Sequence, residues 1–180
     1  MVKRVLVGCV ITVIAVAAAI GVLGKGWAAG SEDTAVDYTK IVPSDLVKNT
    51  PKGKLVNPYK DTQADVVAQG QVFFRNYGCS GCHGGNGGGG MCPALTNDVW
   101  VYGGDDDTLF RVIALGSDEL QKAGYTRIGH ENVVGPMPPF GTIVKNADDL
   151  WKILAFVRSN YHGDPAYKFG APADPAANNP

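Results

Sequence analysis

The residues best equipped for chemistry in this 180-residue chain stand together as Cys79-Ser80-Gly81-Cys82-His83. Two thiols three residues apart, followed at once by an imidazole, form the C-x-x-C-H spacing of haem attachment. Both thiols can add to the two vinyl groups on one edge of a haem. The next residue then lies beneath the iron, where its imidazole is the fifth ligand. Two other uses of the cysteines compete. A redox dithiol needs a strand-to-helix setting in a βαβ fold, and the chain shows no strand alternation of useful length. A zinc site would need Cys92 and His130 to complete it, and it would lack a second paired spacing. The motif is therefore read as the seat of one covalent haem c.

A sixth iron ligand must come from elsewhere in the chain. The residues able to supply it are Met91, Met137, His130 and His162. Met91 follows His83 so closely that it would have to cross the ring edge at once. His162 ends a helix beside the tail and reads as a solvated histidine. Met137 is expected to be the ligand, with His130 as the alternative. It stands in Gly135-Pro136-Met137-Pro138-Pro139, where prolines hold a loop rigid at little entropic cost. Core filling is the usual job of methionine, but a Pro-Met-Pro loop is a poor place for filler. His/Met ligation raises the reduction potential and closes the iron to substrates. That chemistry belongs to an electron carrier, not an enzyme. An open sixth position would instead suit a haem enzyme or gas sensor.

Helices must position these residues. Val66, Val67, Gly70, Phe73, Phe74 and Tyr77 recur at three-to-four-residue spacing, which predicts a helix over 62–77. Gly70 inside it suggests close contact with another helix. A glycine-rich loop follows over 78–90. Asp105, Asp106, Asp107 and Thr108 cap an apolar run that Gly116 stops. A short helix and a loop are expected between Ser117 and Val134. Asn146, Asp148 and Asp149 open the last helix, with Leu150, Ile153, Leu154, Val157 and Tyr161 on one face. The expected class is mainly α, with about three to five helices and long loops. The domain should run over 62–165, after an extended Pro-containing arm over 31–61 and before a mobile tail over 166–180.

The first thirty residues read as a signal peptide. Lys3 and Arg4 precede an uncharged apolar run from Val5 to Leu23, and small residues suit cleavage near Ala28 or Gly30. An uncleaved membrane anchor is the rival reading. Export predicts a periplasmic protein and fits bacterial c-type haem attachment. Without that segment the chain has 13 bases against 17 acids and no basic stripe, so nucleic acid is a poor candidate partner.

The motif and the surrounding helices resemble monohaem class I cytochromes c. Cys92-Pro93-Ala94-Leu95 sits where that family has Gly-Pro-x-Leu. The resemblance implies that the Pro93 carbonyl accepts the His83 Nδ1–H bond and that Leu95 packs on the haem. It also implies that Phe73 or Phe74 meets Leu154 or Phe156 near Gly70. Asn97-Asp98-Val99-Trp100 and Trp151 to Ser159 are similar to the cytochrome cL family. The glycine run, Tyr102 to Asp107 and Gly135 to Phe140 resemble its lanthanide-dependent (Xox-type) branch. That likeness implies a periplasmic quinoprotein methanol dehydrogenase as electron donor, and a further c-type cytochrome or an oxidase as acceptor. Trp100 and Tyr102 are candidate donors to a haem propionate. Asp98 and Asp105 to Asp107 are candidates for calcium or for steering a partner. Cys92 departs from the family's glycine and is expected to be a small, buried apolar residue.

Overall fold

The computed structural model describes residues 36–129 and 133–170. Among these residues there are five α-helices and no strand: α1 (Pro43–Asn49), α2 (Ala64–Asn76), α3 (Cys79–His83), α4 (Asp106–Lys122) and α5 (Ala147–Ser159). No described helix is long and apolar enough to cross a membrane. The apolar Val5–Leu23 segment and residues 171–180 lie outside the described residues.

Capping oxygens fix two helix starts where the sequence placed them. The Asp105 side chain accepts from the Thr108 N–H at 2.9 Å. The Asn146 side chain accepts from the Asp149 N–H at 2.8 Å. Each satisfies an N–H that the first turn leaves without a partner. The last helix was expected to bury one face, yet Leu150, Trp151, Ile153, Leu154, Ala155, Phe156 and Val157 are all buried. The reason is position: α5 packs against α1, α2, α4 and the 3-10 turn Tyr38–Lys40. Trp151 lies against Phe110 with ring centroids 4.2 Å apart. Burying such side chains stabilises the fold by about 1.5–3 kcal/mol each.

The crossing of α2 and α5 depends on Gly70. A Cβ there would overlap the Lys152 carbonyl and stand 3.0 Å from Phe156 Cβ. Just beyond, Phe74 and Phe156 pack with centroids 5.3 Å apart. Phe74–Phe156 is one of the pairs expected at this crossing.

The segment read as an extended arm is partly helical and is tied to the core. Pro43 opens α1, where its missing N–H costs nothing. Val47 and Leu55 are buried. The tie is a pair of charges on α4. Arg111 Nε donates to Asp107 at 2.8 Å, and both side chains are buried. The same guanidinium donates to the carbonyls of Val47, Thr50 and Pro51 at 3.3, 2.7 and 3.0 Å. Asp107 in turn accepts from the Leu55 N–H at 3.1 Å and the Tyr125 hydroxyl at 2.5 Å. Burial alone would raise the Asp107 carboxyl, but these donors hold it below its ordinary value. Asp106 pairs with Arg158 and accepts from the Asn57 N–H at 2.8 Å. The three consecutive acids are thus a cap and two anchors.

The start of the expected tail is also packed. Pro165–Tyr167 is a 3-10 turn, Lys168 pairs with Asp61, and Arg158 lies 4.8 Å from the Phe169 ring centroid.

Two outcomes follow from this packing. Gly70→Ala gains about 1 kcal/mol of helix propensity but overpacks a backbone contact at about 3 kcal/mol. Guanidinium unfolding of the holoprotein should show a net loss of about 2 kcal/mol; an equally stable variant contradicts the crossing. Asp107 has a depressed folded pKa, so its contribution is present above the ordinary carboxylate value of about 3.9 and is lost as pH falls through the lower folded value. Asp107→Asn should cost about 3–5 kcal/mol at pH 7, and the gap between wild type and variant should narrow below pH ~4. A gap that does not change with pH contradicts the assignment.

Candidate functional site

The attachment motif is itself helical, although the sequence predicts a loop over 78–90. Gly78, with φ of 83°, turns the chain out of α2, and Cys79 to His83 forms the short α3. Helical geometry sets both cysteines and the histidine on neighbouring positions of one small surface. Cys79 is buried, and burial pushes its thiol up to about 11.

The glycine-rich loop folds back onto α3. The His83 carbonyl accepts from the Gly89 N–H at 2.8 Å, and the Cys82 carbonyl accepts from the Cys92 N–H at 3.0 Å. Gly84, with φ of 79°, leaves no room for a Cβ, which would lie 2.5 Å from the Gly89 carbonyl oxygen. This fold-back delivers Pro93. His83 Nδ1 lies 2.8 Å from the Pro93 carbonyl oxygen. A carbonyl can only accept, so Nδ1 carries the proton and Nε2 keeps its lone pair for a metal. Leu95 is held alongside by its N–H bond to the Gly87 carbonyl at 2.6 Å.

The Met137 loop is placed by a break in α4. Gly116 adopts φ of 77° and ψ of 166°, interrupting the helix. The break frees carbonyls that the loop then uses: Phe140 N–H donates to Ile113 at 2.9 Å, and Gly141 N–H donates to Ala114 at 3.0 Å. Ser117 grips Met137 at both ends of its peptide. The Met137 N–H donates to Ser117 Oγ at 2.9 Å, and the Ser117 N–H donates to the Met137 carbonyl at 3.0 Å. A Cβ on Gly116 would sit 2.6 Å from that carbonyl oxygen.

These segments enclose a cavity of about 340 Å³, in the size range of a small-molecule or cofactor site. Cys79, His83, Pro93, Leu95 and Met137 all line it, with Phe74, Leu109, Ile113 and Leu154 among its apolar walls. Of the other sixth-ligand candidates, Met91 is 63% exposed, His162 is exposed, and neither lines the cavity. His130 lies outside the described residues. Cys92 is half-buried on the cavity wall; burial, with Cys82 beside it, pushes its thiol up. No group of three or more His, Cys, Asp or Glu among the described residues is arranged to hold a bare metal ion. Cys82 is not part of the lining but stands three residues along α3 from Cys79, which is. An apolar slot with the Cys79 thiol on its wall, Cys82 one turn away and an imidazole whose Nε2 is available fits a covalently bound haem.

The family model for cytochrome c matches residues 67–160. The chain belongs to the cytochrome c family. Its cofactor is covalently bound haem c, and carrying electrons is the usual work of the family. Two curated relatives are subunits of cbb3-type cytochrome c oxidases. CcoP of Azospirillum brasilense is 31% identical over 104 residues, which is 56% of this chain and 32% of that one. FixP of Azorhizobium caulinodans is 36% identical over 97 residues, 51% of this chain and 28% of that one. The chain therefore spans under a third of the length of these relatives. Among solved structures, cytochrome CL from the marine methylotroph Methylophaga aminisulfidivorans MPT is 24% identical. It aligns with a TM-score of 0.47, covering 74% of this chain and 85% of that chain.

The sequence reading missed the Gly116 break as the seat of the Met137 loop. A glycine at the end of an apolar helical run, followed by a serine, was the available signal.

Proposed function

We propose that the chain is an exported single-haem electron carrier. Cys79 and Cys82 hold the haem, His83 and Met137 ligate its iron, and a periplasmic quinoprotein methanol dehydrogenase is the donor. The observation that carries the ligand set is the shared cavity, which both His83 and Met137 line. The bound haem supplies a one-electron couple at its iron. The protein fixes the His83 ring through the Pro93 carbonyl, braces the Met137 thioether between prolines, and surrounds the couple with apolar side chains. With the Met137 thioether as a second iron ligand, the couple would have a raised reduction potential and the iron would be closed to a substrate or gas.

The partner rests on the sequence likeness of the glycine run, Tyr102 to Asp107 and Gly135 to Phe140 to the Xox-type branch of cytochrome cL. The kinship with oxidase subunits favours an oxidase, or a further c-type cytochrome, as the downstream acceptor. Periplasmic location rests on the charge and apolar pattern of the first thirty residues. Docking at the haem edge beside α3 would be small and transient, as electron-transfer contacts usually are.

Met137→Ala should abolish the weak far-red absorption band of ferric Met-ligated haem and let the ferrous protein bind carbon monoxide rapidly at neutral pH. A surviving band, or a wild type that binds carbon monoxide as readily, removes Met137 from the iron and favours a haem enzyme or sensor. Purified methanol dehydrogenase should reduce the haem once methanol is added. A haem that stays oxidised rules out that donor while leaving the ligand set untouched.

A further inference from the structure

Apart from His83 and the cysteines, the polar side chains that line the cavity are Tyr102, Ser117, Asp118, Gln121 and Arg127. Two pairings draw several of these residues together. The Ile128 and Gly129 N–H groups donate to the Val101 carbonyl at 2.8 and 3.1 Å, so residues 127–129 run beside Tyr102. Gln121 Nε2 donates to the Tyr102 hydroxyl oxygen at 3.0 Å and to the Ser117 carbonyl at 3.2 Å.

These bonds assign the protons. The Tyr102 oxygen already accepts from Gln121, so its own O–H is left to donate. Ser117 Oγ accepts from the Met137 N–H, and its O–H is likewise available. Trp100 is different: its indole N–H is spent on the Leu95 carbonyl at 2.8 Å. Of the two aromatic donors considered from sequence, Tyr102 is the one whose hydrogen remains uncommitted. A haem tethered through its vinyl edge presents two carboxylates from the other edge, and carboxylates bind O–H donors and guanidinium groups most strongly.

We infer that the Tyr102 hydroxyl seats a haem carboxylate, with Gln121 holding Tyr102 in place as a positioning residue. The inference rests on the reading of this cavity as the haem site. The half of α4 beyond Gly116 then carries both the Met137 anchor, through Ser117, and the carboxylate seat, through Gln121. Asp118 is the only acid lining the cavity among the described residues, and its side chain is exposed. Solvation therefore screens its repulsion of a carboxylate.

Resonance Raman spectra of the full holoprotein test this, because the low-frequency propionate-bending band reports hydrogen bonds to the haem carboxylates. Tyr102→Phe should shift that band while the far-red band of Met-ligated ferric haem stays. Gln121→Leu should give a smaller shift in the same direction, and Trp100→Phe should give none. An unmoved band in Tyr102→Phe, or an equal shift in Trp100→Phe, overturns the assignment. A pyridine haemochrome on the same samples separates the two levels. Covalent haem with an unmoved band removes only the carboxylate seat, whereas a wild type without covalent haem removes the cavity's reading with it.

Discussion

A missing side chain at Gly70 sets how closely α2 approaches α5, and the rest of the site hangs from that contact. The two helices meet backbone to backbone, with the Lys152 carbonyl where a Cβ would otherwise be. Phe74 of α2 and Ile153, Leu154 and Val157 of α5 then reach the cavity together. Because α3 follows α2 after a single left-handed glycine at Gly78, the position of α2 is also the position of Cys79 and His83. Close packing makes such a contact stiff, so an imidazole at the end of this chain of contacts has little freedom to drift.

A second glycine does the corresponding work on the Met137 side. Gly116 interrupts α4 at a φ that side-chain-bearing residues seldom adopt. The freed carbonyls of Ile113 and Ala114 bind the Phe140 and Gly141 N–H groups. A proline-rich loop has few N–H groups of its own to satisfy. It is held instead by its ends and by Ser117, so the Met137 backbone is fixed although its neighbours cannot form regular structure. Rigid placement of both candidate ligands limits how far the site must rearrange when one electron arrives.

Much of this was legible in the sequence because local chemistry signalled it. The C-x-x-C-H spacing, the caps at Asp105 and Asn146, the apolar spacing of α2 and α5 and the oddity of a glycine at position 70 all state local requirements. The Pro93 carbonyl bond to His83, implied by family likeness, is present in the fold at 2.8 Å. What escaped the sequence depends on partners far along the chain. Arg111 and Asp107 look like surface charges on an amphipathic helix, yet both are buried because α1 and the segment to Leu55 fold over them. The arm was read as extended for the same reason: its prolines are visible locally, while the guanidinium that fixes its carbonyls lies some sixty residues away. The burial of α5 on nearly all sides likewise follows from how many elements surround it.

The account predicts that one iron atom is held between an imidazole nitrogen and a thioether sulfur. X-ray absorption at the iron edge of the ferrous holoprotein reads that coordination shell directly. One sulfur neighbour with five nitrogens, the sulfur vanishing in Met137→Ala, is the expected result. Six nitrogens, or a sulfur that persists after that substitution, would contradict it.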